Sequence, residues 1–393
     1  MVYFDNAATT MIAPEVLAAM LQYMQDNYGN PGSSHSLGRK AREAVEKARA
    51  QVAALIGCNP EQIIFTSGGT EANNLVIQGV GEHLKSIGRT QIITSPTEHI
   101  SVLKSIEKMC IKEGFGVHYL RVNDRGFVDT SVLKGEITDQ TGLVSLMYVN
   151  NETGAENPIE DLCRAAKEHG ALFFTDCVQA AGYNEIDVER IGCDFLSISS
   201  HKMHGPKGVG ALYVRDRDKL NPLVCGGDFQ EYGIRGGTEN VAGIVGFGAA
   251  CELAKSKQRE SMVHTSVLKQ TLYSKLFDIT SQSDLNTTIS FNGDIPIKSG
   301  RIINLQINGI DSETLLLMLD SRGFCVSAGS ACNSYESKPS HVLLAMGLTD
   351  DEAASSIRVS LSDYNTEAEV IEFVYALVDC IRLIKFADTH SNT

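Results

Sequence analysis

The 393-residue chain reads as an α/β protein: a mainly parallel seven-stranded sheet covered by helices, followed by a smaller α+β domain. Three observations predict this. Apolar runs of strand length alternate with amphipathic helical stretches through the first two-thirds, the pattern of a parallel sheet buried on both faces. The rhythm changes after about residue 260, where helices and strands no longer alternate one for one. The length, at roughly 150 residues per domain, suits two or three domains.

Taken in order, residues 39–56 place Ala41, Ala44, Val45, Ala48, Val52, Leu55 and Ile56 at helical spacing, and Gly57 suits the stop. A buried strand is predicted over 63–66, then the turn Ser67-Gly68-Gly69-Thr70, then a helix from about Glu71. Further strands are predicted at 91–95, 117–120, 143–149, 172–175, 195–199 and 209–214, with helices at 102–111 and 159–169 among them. Beyond 260 come a helix over 261–277, strands at 288–291 and 302–307, a helix over 312–319, strands at 324–327 and 357–361, and a helix over 366–386. The polar tail 388–393 should fray. The predicted division is a large domain over 13–260 and a small one made of 1–12 with 261–393.

Composition narrows the function. Lys and Arg number 34 against 48 Asp and Glu, a formal charge of −14 that repels phosphate backbones and argues against nucleic acid or an anionic membrane as partner. Hydrophobic residues at 43% and only 9 prolines describe an ordinary globular chain. No apolar run approaches the ~18 residues of a membrane span. The start MVYFDNAATT has neither the basic nor the apolar region of a secretory signal. Ten scattered cysteines without a CxxC pair suit a reduced, cytoplasmic protein.

Open parallel sheets bind ligands at the carboxyl ends of their strands, so polar residues there are the candidates. Gly68 and Gly69 in the turn after 63–66 allow close backbone approach, and a helix start favours a phosphate. Taken alone the turn could be a tight connection. It lacks the lysine of a P-loop and the spacing of a dinucleotide fingerprint. Asp176 ends the apolar run 171–175; a helix cap would explain it, and so would a buried cation. Lys202 follows the run 195–199, one strand–helix–strand crossover further on. A lysine and an acid converging on a phosphate-binding turn is what pyridoxal 5′-phosphate (PLP) requires: an imine-forming amine, a partner for the pyridinium nitrogen, and donors for the phosphate. Cys332 sits among small residues, Ser327-Ala328-Gly329-Ser330-Ala331-Cys332-Asn333-Ser334, where a thiol is free to react; Cys325 belongs to an apolar run and reads as core. His201 and His204 stand three apart with no third ligand near them, so no metal is expected.

The assembled motifs resemble those of cysteine desulfurases of the NifS/IscS type, class-V aminotransferase relatives among the fold-type-I PLP enzymes. The matching segments run nearly end to end: Asp5-Asn6-Ala7-Ala8-Thr9-Thr10, Gly29-Asn30-Pro31, 65–71, Thr97-Glu98-His99, 149–154, Asp176 with Gln179, Ser200-His201-Lys202, Gly205-Pro206-Lys207-Gly208, Arg235-Gly236-Gly237-Thr238, Ser330-Ala331-Cys332 and Ser356-Ile357-Arg358. Two stretches depart from the pattern: 225–232, with Asp228-Phe229 and Tyr232 in a glycine-rich element, and Met11 in place of a proline.

The resemblance implies that Lys202 carries PLP, Asp176 pairs with its ring nitrogen and Gln179 bonds its phenolic oxygen. It implies that His99 stacks on the ring and aids proton transfer, while Gly69, Thr70, Ser199 and His201 hold the phosphate. Thr238 would reach that phosphate from a second subunit, making a homodimer. Asn151 and Arg358 would bind substrate L-cysteine, Arg358 forking onto its carboxylate. Cys332 would take the sulfur as a persulfide, leaving L-alanine, and pass it to an acceptor such as an iron–sulfur scaffold or a tRNA-thiolation protein. A selenocysteine lyase, a plain aminotransferase and a non-catalytic sulfur-relay scaffold stand as rivals.

Overall fold

Seven of the apolar runs pair into one sheet. The computed structural model of the chain describes residues 1–282, 287–293, 300–329 and 339–391. Among these the strands are β1 (Val2–Tyr3), β2 (Ile63–Thr66), β3 (Gln91–Thr94), β4 (Gly116–Tyr119), β5 (Thr141–Ser145), β6 (Leu172–Asp176), β7 (Phe195–Ser199), β8 (Gly210–Val214), β9 (Ile289–Asn292), β10 (Ile302–Ile307), β11 (Phe324–Cys325) and β12 (Ser356–Ser360). The large sheet has the order β2-β8-β7-β6-β5-β3-β4. Strand β8 runs antiparallel to both neighbours; every other pairing is parallel.

Alternation along these strands feeds two separate cores. Ile63, Phe65, Ile93, Val144, Phe173, Leu196, Ile198 and Tyr213 face one cluster, joined by Val16, Val45, Val52 and Phe247 from helices. Ile64, Ile92, Leu143, Phe174, Phe195 and Leu212 face the other, with Leu75, Val76, Val102 and Ile106. Both faces are therefore covered, which is why these runs read as continuously apolar.

A three-stranded antiparallel sheet, β12-β10-β9, carries a third cluster. Leu305, Ile357 and Val359 pack there with Leu315 and Leu319 of the helix Ser312–Ser321 and Phe373 and Leu377 of the helix Glu367–Ser391. Phe4 joins it, because β1 pairs in parallel with β11. The helix Glu367–Ser391 runs through the start of the tail expected to fray from 388, which corrects that expectation up to Ser391; residues 392–393 lie outside the described residues.

One helix crosses the predicted boundary at 260/261. Val241–Gln282 is continuous, placing Ile244 and Phe247 in the first cluster and Leu268, Leu272 and Leu276 in the third. Its glycines hid it from the sequence pattern. A Cβ on Gly246 would lie 2.6 Å from the Met20 side chain, and one on Gly248 would lie 2.7 Å from Ala48 Cα. These glycines let the helices Pro14–Gln25 and Ser36–Ile56 pack closely, which offsets their poor helix propensity.

Candidate active site

The carboxyl ends of β2, β6 and β7 open on a cavity of about 420 Å³. Gly68, Gly69, Thr70, His99, Asn151, Asp176, Gln179, Ser199, His201, Lys202 and Arg358 line it, together with Ala7 and Ala8. Thr238 does not; it is exposed on the surface of the chain. Cys332 lies outside the described residues, and the flanking Gly329 and Ser340 both lie against the buried Glu152, Ser340 donating to its carboxylate.

The turn after β2 is shaped by close approach. Gly68 has φ 152° and leads into the helix Gly69–Gly79. A Cβ on Gly69 would stand 2.6 Å from Val178 Cγ2, and one on Gly210 would stand 2.7 Å from Gly68 Cα. The helix start leaves its first N–H groups without helical partners. Beside the turn, the hydroxyl of Ser199 is buried and without a partner among the described residues. Glycines, free N–H groups and an orphaned hydroxyl make a cradle that fits a phosphate.

Asp176 closes β6 and is 6% exposed. Its Oδ1 accepts from the Val178 N–H (2.9 Å) and its Oδ2 from Asn73 Nδ2 (2.7 Å). Asn73 is held in turn: Ser197 Oγ donates to its Oδ1 (2.7 Å), while its Nδ2 also donates to Ser101 Oγ (2.9 Å). Ser101 reaches His99, whose Nδ1 accepts the Ser101 N–H (3.2 Å) and lies 2.7 Å from its hydroxyl. His99 thus caps the helix Ile100–Glu113, and a capping Nδ1 must be unprotonated, which leaves the proton on Nε2. Burial holds the His99 pKa below its ordinary value; the Asp176 charge opposes this and Lys202 reinforces it.

Lys202 stands in the turn after β7, beside Asp176 because β6 and β7 are parallel neighbours. Its Nζ donates to the carbonyls of Ala7 (2.5 Å) and Ala8 (2.7 Å). Gln179 Nε2 donates to the same Ala7 carbonyl (2.9 Å). His201 Nδ1 meets Thr9 Oγ1 at 3.2 Å, and burial together with the Lys202 and Lys207 charges pushes its pKa down to about 4. A neutral imidazole can still donate one N–H. On the opposite wall, Arg358 of β12 is 1% exposed and donates to the Asn151 carbonyl (2.9 Å) and to Asp5 Oδ1 (2.7 Å); its Nε has no partner among the described residues.

The family model described as Aminotransferase class-V matches residues 2–373. The chain belongs to the class-V aminotransferase family. A cysteine desulfurase of Trichormus azollae is 42% identical over 391 residues, spanning 98% of this chain and 94% of its own. A solved NifS-like protein superposes with a TM-score of 0.88 at 36% identity, covering 98% of this chain and 99% of that one. SspA, solved in complex with cysteine, gives a TM-score of 0.79 at 34% identity over 93% of this chain and 100% of its own. The seven-stranded sheet and smaller α+β part are thus those of the fold-type-I architecture.

Within this class-V chain the unusual stretch 225–232 and the Arg235 that follows it are pinned from beneath. Glu231 (φ 41°) and Tyr232 (φ 58°) take left-handed backbone conformations, and Glu231 turns inward to a buried Arg49 with bonds of 2.9 and 2.8 Å. It also accepts the Phe65 N–H (2.6 Å), so this carboxylate grips β2 just before the phosphate turn. Arg235 pairs with Glu71 of that turn (2.8 Å) and draws its carboxyl below the usual range. The sequence reading singled out neither Asn73, Ser101 nor Arg301. A polar residue inside an apolar helical stretch, and an arginine opening the run 302–307, were the signals on offer.

Proposed function

We propose that this chain is a PLP-dependent cysteine desulfurase that converts L-cysteine to L-alanine and takes the sulfur on Cys332. The observation that carries the reading is one cavity in which a strand-end carboxylate, a lysine, a glycine-lined cradle with an orphaned hydroxyl, and a buried arginine converge. PLP, when bound, supplies an electron sink for charge developing at the substrate α-carbon. Lys202 is the amine that carries it, and Asp176 holds the ring nitrogen's proton by charge. Gln179 faces the phenolic oxygen. Gly69, Thr70, Ser199 and His201 hold the phosphate, and Thr238 of a second copy completes it in a homodimer. His99, neutral and fixed by Ser101, would stack on the ring and would move protons through Nε2.

Asn151 and Arg358 bind the substrate. With Asp5 and the Asn151 carbonyl already occupying part of Arg358, its unpartnered Nε is a donor toward a carboxylate. The chemical step breaks the substrate's Cβ–S bond and forms an S–S bond: cysteine plus the Cys332 thiol becomes alanine plus a Cys332 persulfide, with no outside oxidant. A carrier thiol of an iron–sulfur scaffold or tRNA-thiolation protein then receives the sulfur. The division into residues 13–260 and 1–12 with 261–393 puts Lys202 on one part and Arg358 on the other. A cytoplasmic setting is supported by nine described cysteines that are all free thiols.

Cys332→Ser tests the reading. The variant should bind PLP and cysteine as the parent does, yet form alanine at least about 100-fold more slowly, because a protonated hydroxyl is a poor nucleophile toward sulfur. Mass spectrometry of the parent with cysteine should add one sulfur to the peptide carrying Cys332. Alanine formation at the parent rate by the serine variant would point to a selenocysteine lyase or an aminotransferase instead.

A further inference from the structure

Arg301 precedes β10 and is 2% exposed. Its Nη2 donates to Gln179 Oε1 (2.9 Å) and reaches the Lys202 carbonyl at 3.5 Å. The guanidinium lies over the Tyr183 ring, 4.3 Å from its centroid. Among the described residues no carboxylate bonds to it, and its Nε and Nη1 have no hydrogen-bond partner. A buried cation without a counterion is costly, and here burial and the Arg358 charge pull its pKa down while Tyr183 and Asp363 oppose them. An aliphatic residue would fill the same space without that cost. The missing complement is an anion, and Gln179, between Arg301 and the cavity, is where one would be felt.

The Gln179 carboxamide is fixed from both ends. Arginine offers only donors, so the atom facing Arg301 is oxygen; the Ala7 carbonyl offers only lone pairs, so the atom facing it is nitrogen. With those two contacts made, the remaining hydrogen-bonding capacity on nitrogen is one N–H. The carboxamide can offer that N–H to an anionic oxygen in the cavity.

We propose that Arg301 is a positioning residue of the cofactor site: it locks Gln179 as a donor to the phenolic oxygen of PLP and sets a permanent positive charge behind that contact. This rests on the PLP reading above. A fixed positive charge favours the deprotonated form of a group beside it, so removing it raises that group's pH midpoint. The other charges and titratable groups around the spot remain in place. They are Lys202, His201 and Lys207 after β7, Asp176 at the end of β6, Tyr183 behind, Arg358 with Asp5, Asp363 beyond β12, and His99.

The test is a pH titration of the visible absorbance of bound PLP in the holoenzyme and in Arg301→Met, Arg301→Gln and Arg301→Lys. The midpoint should rise by about one pH unit in the methionine and glutamine variants, and stay within about 0.3 unit of the parent in the lysine variant. Midpoints unmoved in the two neutral variants would overturn the proposal. If methionine prevents folding, the polar glutamine variant decides alone. A parent protein with no visible band tied to Lys202 would overturn the cofactor reading itself, and this inference with it.

Discussion

Asp176→Asn changes one atom and reverses the proton inventory of a buried network. The Val178 N–H still requires an acceptor, so the new carboxamide keeps its oxygen there and turns its NH2 toward Asn73 Nδ2, 2.7 Å away in the parent. Two donors then face each other. A flip of Asn73 resolves it: its oxygen meets the new NH2 and the Ser101 hydroxyl, and its nitrogen donates to Ser197 Oγ, which can accept as well as donate. His99 keeps the Ser101 N–H on Nδ1. The fold therefore survives, and without PLP the unfolding free energy should change by less than about 1 kcal/mol. What disappears is the charge that holds a protonated ring nitrogen. A hydrogen bond to a charged group is worth about 1.5–3 kcal/mol against about 1 for a neutral one, so PLP should bind roughly 2- to 30-fold more weakly. Alanine formation should fall by roughly 10²–10³-fold, the usual cost of removing one preorganised electrostatic contact. Absorbance titration of the apoprotein with PLP, thermal unfolding with and without PLP, and alanine assays measure the three quantities. Parent affinity and parent turnover in the variant would refute the role of Asp176. A PLP-free protein destabilised by more than about 3 kcal/mol would refute the network argument.

Other expectations follow from the same geometry. Borohydride reduction and peptide mapping should find the cofactor on Lys202 alone, with Lys207→Ala leaving the linkage intact; a modified lysine elsewhere would sink the assignment. His201 has a folded pKa near 4 against an ordinary value of 6.5, so below pH 6.5 the unfolded chain binds a proton that the folded one refuses. Stability should therefore fall as pH drops from about 6.5 to 4, with His204, also held low by burial, adding in the same direction. His201→Asn should flatten that slope in urea titrations at several pH values; an unchanged slope contradicts it. Arg49→Met should cost about 3–5 kcal/mol by leaving Glu231 buried and unpaired, and the double replacement with Glu231→Met should cost less than the two single changes added together. Strict additivity would show that the pair is not coupled.

How much of this was legible beforehand divides along a physical line. Strand 195–199 was read to the residue and strand 172–175 to within one, because continuous apolar runs of strand length are a local property of the chain. The same locality placed Asp176 and Lys202 at strand mouths and the paired glycines at a helix start, where ligand chemistry concentrates in such sheets. The long helix 241–282 was missed across its first turns, since glycine counts against a helix until the neighbour that requires it is known.

Chain order alone determined the fold class and the residues at the ends of the central strands, because both follow from periodicity that each segment carries by itself. The tertiary structure decided the rest of the site: Asn73 linking Asp176 to His99, the Ala7 and Ala8 carbonyls on Lys202, Arg301 behind Gln179, and Glu231 beneath β2. Each joins residues tens to hundreds of positions apart through one or two atoms. Such contacts form only when the two segments are held at hydrogen-bond distance by packing elsewhere, and no local pattern of apolar and polar residues records that distance.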